Sequence, residues 1–187
     1  GTPCATRDCL GHLDAHAQEA YFGWLKLLVC VELVLPTLRG GVAVDLACGV
    51  GDDSVRRLAA AARELHMWDK SVDALERARL NVQISQHLFF EQCDLLAAGG
   101  AVPASAPRAS AKVVTCHDAL QHFFGTAADA HRWALRVASL LARDGCAVML
   151  VPDAREIVSR TGGGCVEYAY RGGLTLRASG APWPLGA

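Results

Sequence analysis

Short apolar runs alternate with amphipathic stretches through the middle of this chain. Five runs have the length and composition of buried strands: VAVDLA, LHMWD, HLFFEQCD, KVVTCHD and CAVMLVPD. The stretches DDSVRRLAAAAREL, SVDALERARLNVQ and TAADAHRWALRVASLLARDG have helical spacing. Strands that are apolar on both faces need helices on both sides of the sheet. The sequence therefore predicts an α/β fold: a doubly wound, Rossmann-like, mostly parallel sheet.

The flanking segments complete the predicted organisation. The segment from His16 to Leu38 has apolar residues at helical spacing and predicts an amphipathic helix that ends before Pro36. Gly145 is expected to close the helix after the fourth strand. VEYAY, RGG and LTLRA predict a hairpin. We expect a single domain with an N-terminal helical segment (1–38), a Rossmann-like core (39–160), and a hairpin with a truncated tail (161–187). The C-terminal part of the fold is expected to be incomplete.

Composition narrows the class of protein. The formal net charge is −1 and 52% of the residues are apolar, so the chain has no global basic field for nucleic acid. Eight cysteines are scattered singly, which favours reduced thiols over a disulfide framework. No apolar run reaches the length of a membrane span. We expect a soluble intracellular protein without a membrane partner.

One spacing near the start has the residue types of a zinc site. Cys4, Cys9, His12 and His16 form the pattern C-x4-C-x2-H-x3-H. Short zinc modules use a longer loop between their ligand pairs. We therefore predict the start of a helix with surface histidines here, and no metal.

Polar residues stand where four of the predicted strands end. These residues are Asp45 with its glycine loop, Asp69, Asp94, and His117 with Asp118. Ligands of doubly wound sheets bind beyond the carboxyl ends of the strands. A carboxylate after the second strand suits the two hydroxyls of a ribose, and Asp94 suits an exocyclic amine such as that of adenine.

The loop GVGDD carries carboxylates where a pyrophosphate-binding loop would offer only backbone N–H groups. A nucleoside with a positive charge fits this loop better than a phosphate does. S-adenosylmethionine combines adenine, ribose, an ammonium group and a sulfonium. The strand ends therefore predict a site for this methyl donor and its product, S-adenosylhomocysteine.

Four stretches then resemble the messenger-RNA cap guanine-N7 methyltransferases. YFGWLK resembles the family's aromatic-N-N-W-I-K segment, and DLACGVGDD resembles D-L-G-C-G-K-G-G-D. VVTCHDALQHFF resembles S-C-Q-F-A-L-H-Y-x-F. The stretch AHRWALRVASLLARDGCAVMLVPDAREIVSR resembles the family's long helix with the strand that follows it. The resemblance implies a class I methyltransferase fold and transfer of a methyl group to N7 of the cap guanine.

The resemblance also implies roles for individual residues. Lys26 would pair with the carboxylate of the donor's methionine moiety. The remaining donor-binding residues are Asp45, Ala47 and Gly49 in the loop, Asp69 at the ribose, Asp94 at the adenine, and His117 and His122 beside the donor.

Gln121 and His122 stand where the family has His-Tyr facing the cap guanine, and Phe124 keeps the family's phenylalanine. Guanine N7 already carries a lone pair, so we assign no general base and treat these three as positioning residues. Trp24 or Phe124 could stack on a base, although Trp24 on an apolar helix face is expected in the core. Trp133 is also expected in the core and His131 at the surface.

The implied partners are the capped 5′ end of RNA and either other capping-enzyme domains or a subunit that completes the cap pocket. The implied location is the nucleus for cellular mRNA, with the cytoplasm as the alternative. The altered Gln121–His122 pair leaves two other functions open. One is a methyltransferase for another small molecule or a protein, and the other is a non-catalytic, methyltransferase-like scaffold.

Overall fold

The computed structural model describes residues 15–51, 53–82, 87–97, 102–117, 119–150, 166–170 and 174–178. The chain divides into two units. His16–Val151 forms the larger unit, and Gly1–Ala15 together with Pro152–Ala187 forms the other. Cys4, Cys9 and His12 of the zinc-like spacing lie outside the described residues, as does Asp118.

The larger unit contains one sheet of five parallel strands. The strands are β1 (Val42–Leu46), β2 (Glu64–Asp69), β3 (Leu88–Gln92), β4 (Ala111–His117) and β5 (Leu141–Leu150). Their order across the sheet is β3-β2-β1-β4-β5, and every neighbouring pair is parallel. The predicted doubly wound, Rossmann-like fold is confirmed. The strand order reverses between β1 and β4, which is where such sheets bind ligands.

Helices connect the strands. They are α1 (Ala15–Val29), α2 (Leu35–Leu38), α3 (Asp53–Ala61), α4 (Val72–Asn81) and α5 (Ala127–Leu140). Ser71 caps α4, because its hydroxyl accepts a hydrogen bond from the backbone N–H of Ala74 at 3.2 Å. Thr126 caps α5 in the same way through the N–H of Asp129. Within the described residues, no helix is both long enough and apolar enough to span a bilayer.

The alternating side chains of the strands build a core on each face of the sheet. On one face, Ala43 and Leu65 pack with Val34, Leu58 and other residues of the helical segments before β3. On the other face, the buried residues include Val44, Leu46, Trp68, Trp133 and Val137. Trp133 is buried and His131 is exposed, as predicted. Both faces of the central strands are therefore covered.

The predicted helix end before Pro36 is wrong. The chain continues from α1 through a π-helical turn, Cys30–Val34, into α2, and Pro36 lies in the first turn of α2. A proline is tolerated there because its missing N–H is not required in a first turn. The core prediction for Trp24 is also wrong, because this side chain is 54% exposed.

Gly145 does not close a helix. Helix α5 ends at Leu140, and Gly145 lies within β5, next to a register shift between β4 and β5. A Cβ atom at Gly145 would overlap the carbonyl oxygen of Ala111. The glycine is therefore required by the close approach of two strands and not by a helix cap.

The predicted hairpin is confirmed as an element of the second unit. Strands β6 (Val166–Tyr170) and β7 (Leu174–Ala178) are antiparallel, and Tyr170 pairs with Leu174 at the closed end.

Candidate functional site

A cavity of about 250 Å³ lies at the reversal of strand order, between the carboxyl ends of β1 and β4. Five of the residues predicted from the sequence line it: Lys26, Asp45, Ala47, Gly49 and His117. They come from the helical segment before β1, from β1 and its loop, and from the end of β4. Residues that are up to 91 positions apart therefore share one cavity, as the placement of ligand sites in doubly wound sheets predicts.

The loop after β1 has an unusual backbone. Ala47, Gly49 and Gly51 have φ angles of 55°, 57° and 71°, all in the left-handed region. Such angles are natural for glycine and strained for alanine. At Gly51 a Cβ atom would lie 3.1 Å from a methyl group of Val82, so this glycine also lets the loop pack closely on the end of α4.

Hydrogen bonds from β2 hold this loop in place. The N–H of Cys48 donates to the carbonyl of Trp68 at 3.1 Å, and the N–H of Gly49 donates to Oδ2 of Asp69 at 2.9 Å. The other oxygen of Asp69 accepts from the N–H of Ser71 at 2.8 Å. Asp69 therefore holds the glycine loop as well as standing at the strand end predicted to bind a ribose.

Asn81, the last residue of α4, adds a third support. Its side-chain amide donates to the carbonyl of Val50 at 2.8 Å. This contact links the carbonyl side of the loop to α4, while Gly51 packs against the same helix. The loop backbone is thus fixed from two neighbouring elements before any ligand arrives, a preorganisation that reduces the cost of binding.

Asp45 is the most buried of the charged residues that line this cavity. It is 3% exposed, and its Oδ1 accepts a hydrogen bond of 2.7 Å from the hydroxyl of Thr115 on β4. A buried carboxyl needs such donors, because burial removes its contacts with water. Thr115 therefore orients Asp45 beneath the loop.

Asp94 lies at the other end of the edge, beyond β3. It is exposed, and its Oδ1 accepts from the N–H of Leu96 at 2.9 Å. Among the described residues, those that line the cavity do not include Asp69, Asp94, His122 or Phe124. The predicted site residues on β1, its loop and β4 therefore line one cavity, and these four do not line it.

The segment after β4 forms a short 3-10 turn, Leu120–Phe123, which contains Gln121 and His122. His122 is exposed, whereas Phe123 is buried and stacks on Trp133 with ring centroids 6.1 Å apart. Phe124 meets Trp133 edge-on at 5.8 Å. The two phenylalanines therefore anchor the turn to α5, and the side chain of His122 is exposed to solvent.

Sequence reasoning missed Thr115 and Asn81, which support the site, and it also missed the buried His66. His66 is buried on β2, with its ring nitrogens 3.9 Å from carboxylate oxygens of Glu64 and Glu91. Burial lowers the pKa of His66, and the two carboxylates oppose that effect. No local motif marks Thr115 or Asn81, because their partners Asp45 and Val50 are distant in the sequence.

The fold is that of solved structures named as S-adenosylmethionine-dependent methyltransferases. An S-adenosylmethionine-dependent methyltransferase from Mesorhizobium loti matches 84% of this chain at 21% identity with a TM-score of 0.56. One from Clostridium acetobutylicum matches 88% of the chain at 15% identity, with the same TM-score.

A third similar structure is phosphoethanolamine N-methyltransferase 1 of Haemonchus contortus, solved with phosphoethanolamine and S-adenosylhomocysteine. It matches 75% of this chain at 15% identity with a TM-score of 0.50. The chain spans 64%, 61% and 33% of the lengths of these three proteins, respectively. No protein-family model and no curated protein matches the chain. The likeness at these identities shows the fold.

Proposed function

We propose that this chain binds S-adenosylmethionine in the cavity between β1 and β4 and transfers its methyl group to an acceptor. The observation that carries the proposal is the convergence of Lys26, Asp45, the Ala47–Gly51 loop and His117 on one cavity at the reversal of strand order. Proteins of this fold that are named as S-adenosylmethionine-dependent methyltransferases support it.

The residues present fit this donor. Gly49 has no Cβ, and a built Cβ there meets no atom within 4 Å, so the loop leaves open space for a ligand to approach its backbone. Each oxygen of Asp69 accepts one N–H and retains a lone pair for a ribose hydroxyl. Lys26 supplies the positive charge that a carboxylate requires.

In this proposal each group has a positional task. Lys26 holds the carboxylate of the methionine moiety, Asp69 holds the ribose, and Asp94 meets the exocyclic amine of adenine. Asp45, held by Thr115, places negative charge near the cationic end of the donor. When bound, the donor supplies an electrophilic methyl group, and the protein contributes alignment and fixed dipoles.

For the acceptor we propose N7 of the cap guanine of mRNA. This choice rests on the sequence resemblance and on the position of His122, which is exposed on the turn immediately after β4. Guanine N7 needs no proton removed, so Gln121, His122 and Phe124 would orient the base instead of acting as a general base. The capped 5′ end of RNA is the partner in this proposal.

The test has two parts. Calorimetric titration of the chain with S-adenosylhomocysteine is expected to show binding at one site, and the absence of binding would favour the scaffold alternative. Transfer of labelled methyl to capped RNA, and not to the same RNA uncapped, is expected next. Binding without transfer to capped RNA would reject the cap acceptor and favour a methyltransferase with another substrate.

A further inference from the structure

Arg136 of α5 reaches across to the loop that follows β3. Its Nη1 donates to the carbonyl of Leu95 and lies 3.4 Å from the carbonyl of Asp94. Its Nη2 donates to the carbonyl of Ala97 at 2.9 Å. One guanidinium therefore contacts three carbonyls in a stretch of four residues, about 40 positions away in the sequence.

The loop that Arg136 contacts, residues 94–97, is also held by a buried side chain and by a hydrogen bond within the loop. Leu95 is buried in the core that contains Trp133 and Val137. Asp94 accepts a hydrogen bond from the N–H of Leu96, which closes the turn. The carboxylate of Asp94 is exposed at the end of this fixed segment. Its direction therefore depends on the backbone that Arg136 and Leu95 hold.

From these contacts we infer that Arg136 is a positioning residue for recognition of the base of the methyl donor. It fixes the 94–97 loop so that Asp94 meets the exocyclic amine of adenine. This inference rests on the proposed function, because it assumes that the donor binds. A lysine cannot replace Arg136, because its single ammonium nitrogen lacks the two terminal nitrogens with which the guanidinium contacts the carbonyls of Leu95 and Ala97.

The experiment compares two ligands that differ at the edge of the purine that Asp94 would contact. S-adenosylhomocysteine has an exocyclic amine and an unprotonated N1 at this edge, and S-inosylhomocysteine has an oxygen and an N1–H. Calorimetry on the wild-type chain is expected to give about a tenfold preference for the adenosyl compound, the size of one hydrogen bond to a charged group. Asp94→Asn is expected to reduce that preference.

Arg136→Met is expected to reduce the preference as Asp94→Asn does, while the affinity for S-inosylhomocysteine changes by less than about twofold. Arg136→Lys is expected to behave like Arg136→Met. Because lysine keeps the positive charge, this result would show that the planar guanidinium, and not the charge alone, is required. The matched control is Arg132→Met, one turn earlier on α5, where the arginine pairs with Asp129. This control is expected to leave both affinities unchanged.

Each outcome decides something. An unchanged preference in folded Arg136→Met, or an equal loss for both ligands, overturns the positioning role while the proposed function stands. Failure of the wild-type chain to bind either ligand overturns the proposed function and, with it, this inference. If Arg136→Met does not fold, Arg136→Lys carries the comparison, because it keeps both an aliphatic stem and the positive charge.

Discussion

The loop after β1 and the turn after β4 lie on the same edge of the sheet but are held by different interactions. The β1 loop is fixed through its own backbone, by Asp69, by Asn81 and by the carbonyl of Trp68. The Leu120–Phe123 turn is instead anchored by aromatic side chains that pack on Trp133.

This difference affects what each region can bind. A loop with a fixed backbone presents the same N–H groups and the same open space whatever side chains it carries. Such a loop can bind one ligand in many proteins that share the fold. A turn held by the rings of Phe123 and Phe124 exposes a side chain such as His122, whose identity can change without loss of the anchor. In the proposed function, the first region binds the methyl donor and the second orients the acceptor.

The strongest test of the β1 loop is Asp69→Ala. The change removes a carboxylate that holds Gly49 and that is proposed to bind the ribose. We expect affinity for S-adenosylhomocysteine to fall about 30- to 100-fold, the loss of one or two hydrogen bonds to a charged group. Calorimetry measures this change. Asp73→Ala, an exposed carboxylate in the first turn of α4, is the control and should bind normally.

Retained affinity in Asp69→Ala would mean that Asp69 contacts no ribose and that the loop keeps its shape without it. The view that the β1 loop is fixed by Asp69 and binds the methyl donor would then be wrong. Hydrogen exchange of the Gly49 amide separates the two roles, because exchange reports the loop contact in the absence of ligand.

Thr115→Val tests the support beneath the loop. Valine keeps the shape of threonine but removes the hydroxyl that donates a hydrogen bond to Oδ1 of the buried Asp45. We expect the free energy of unfolding to fall by about 1–3 kcal/mol. Urea unfolding measures this, and Thr115→Ser, which keeps the hydroxyl, should lose less. Equal losses in the two variants would show that packing of the methyl group, and not the hydrogen bond, is what matters.

The fold was predictable because its signals are local. Val113 and Val114, for example, point to opposite faces of β4 and are both buried, so an uninterrupted apolar run correctly indicated a strand covered on both sides. Gly145 was misread because its glycine requirement comes from Ala111 on a neighbouring strand. A local pattern cannot show that approach, and glycine after a helical stretch predicts a cap.

The sequence predicted five of the nine residues that line the β1–β4 cavity in the described part of the chain. Asp45 and Gly49 were found because strand ends meet at one edge of a parallel sheet. Their supports were not found, since Thr115 is 70 residues from Asp45 in the sequence. The positions of Asp94 and His122 outside the cavity walls also depend on loop conformation, which no periodicity encodes.

His122→Ala tests the acceptor side. His122 is exposed on its turn, so we expect the affinity for S-adenosylhomocysteine to change by less than about twofold, as surface substitutions usually do. We expect kcat/KM for the capped RNA to fall about tenfold, the loss of one positioning contact. His131→Ala, an exposed histidine on α5, is the control.

A loss of S-adenosylhomocysteine affinity in His122→Ala comparable to that in Asp69→Ala would place His122 with the donor. The sequence resemblance allows this assignment as well. The division between a donor loop and an acceptor turn would then be wrong, and the two regions would form one continuous surface around the methyl group.

The smallest expected effect concerns strain in the β1 loop. Ala47 and Ala109 both have positive φ angles, 55° and 52°, but only Ala47 lines the cavity. Replacing either with glycine relieves left-handed strain of about 1–2 kcal/mol and is partly offset by the greater entropy of the unfolded chain. We expect each variant to gain about 0.5 kcal/mol in the free energy of unfolding.

Only Ala47→Gly should also alter affinity for S-adenosylhomocysteine. A loss of stability at Ala47 alone would mean that its methyl group packs usefully in the cavity, and that the loop is held by side chains as well as by backbone.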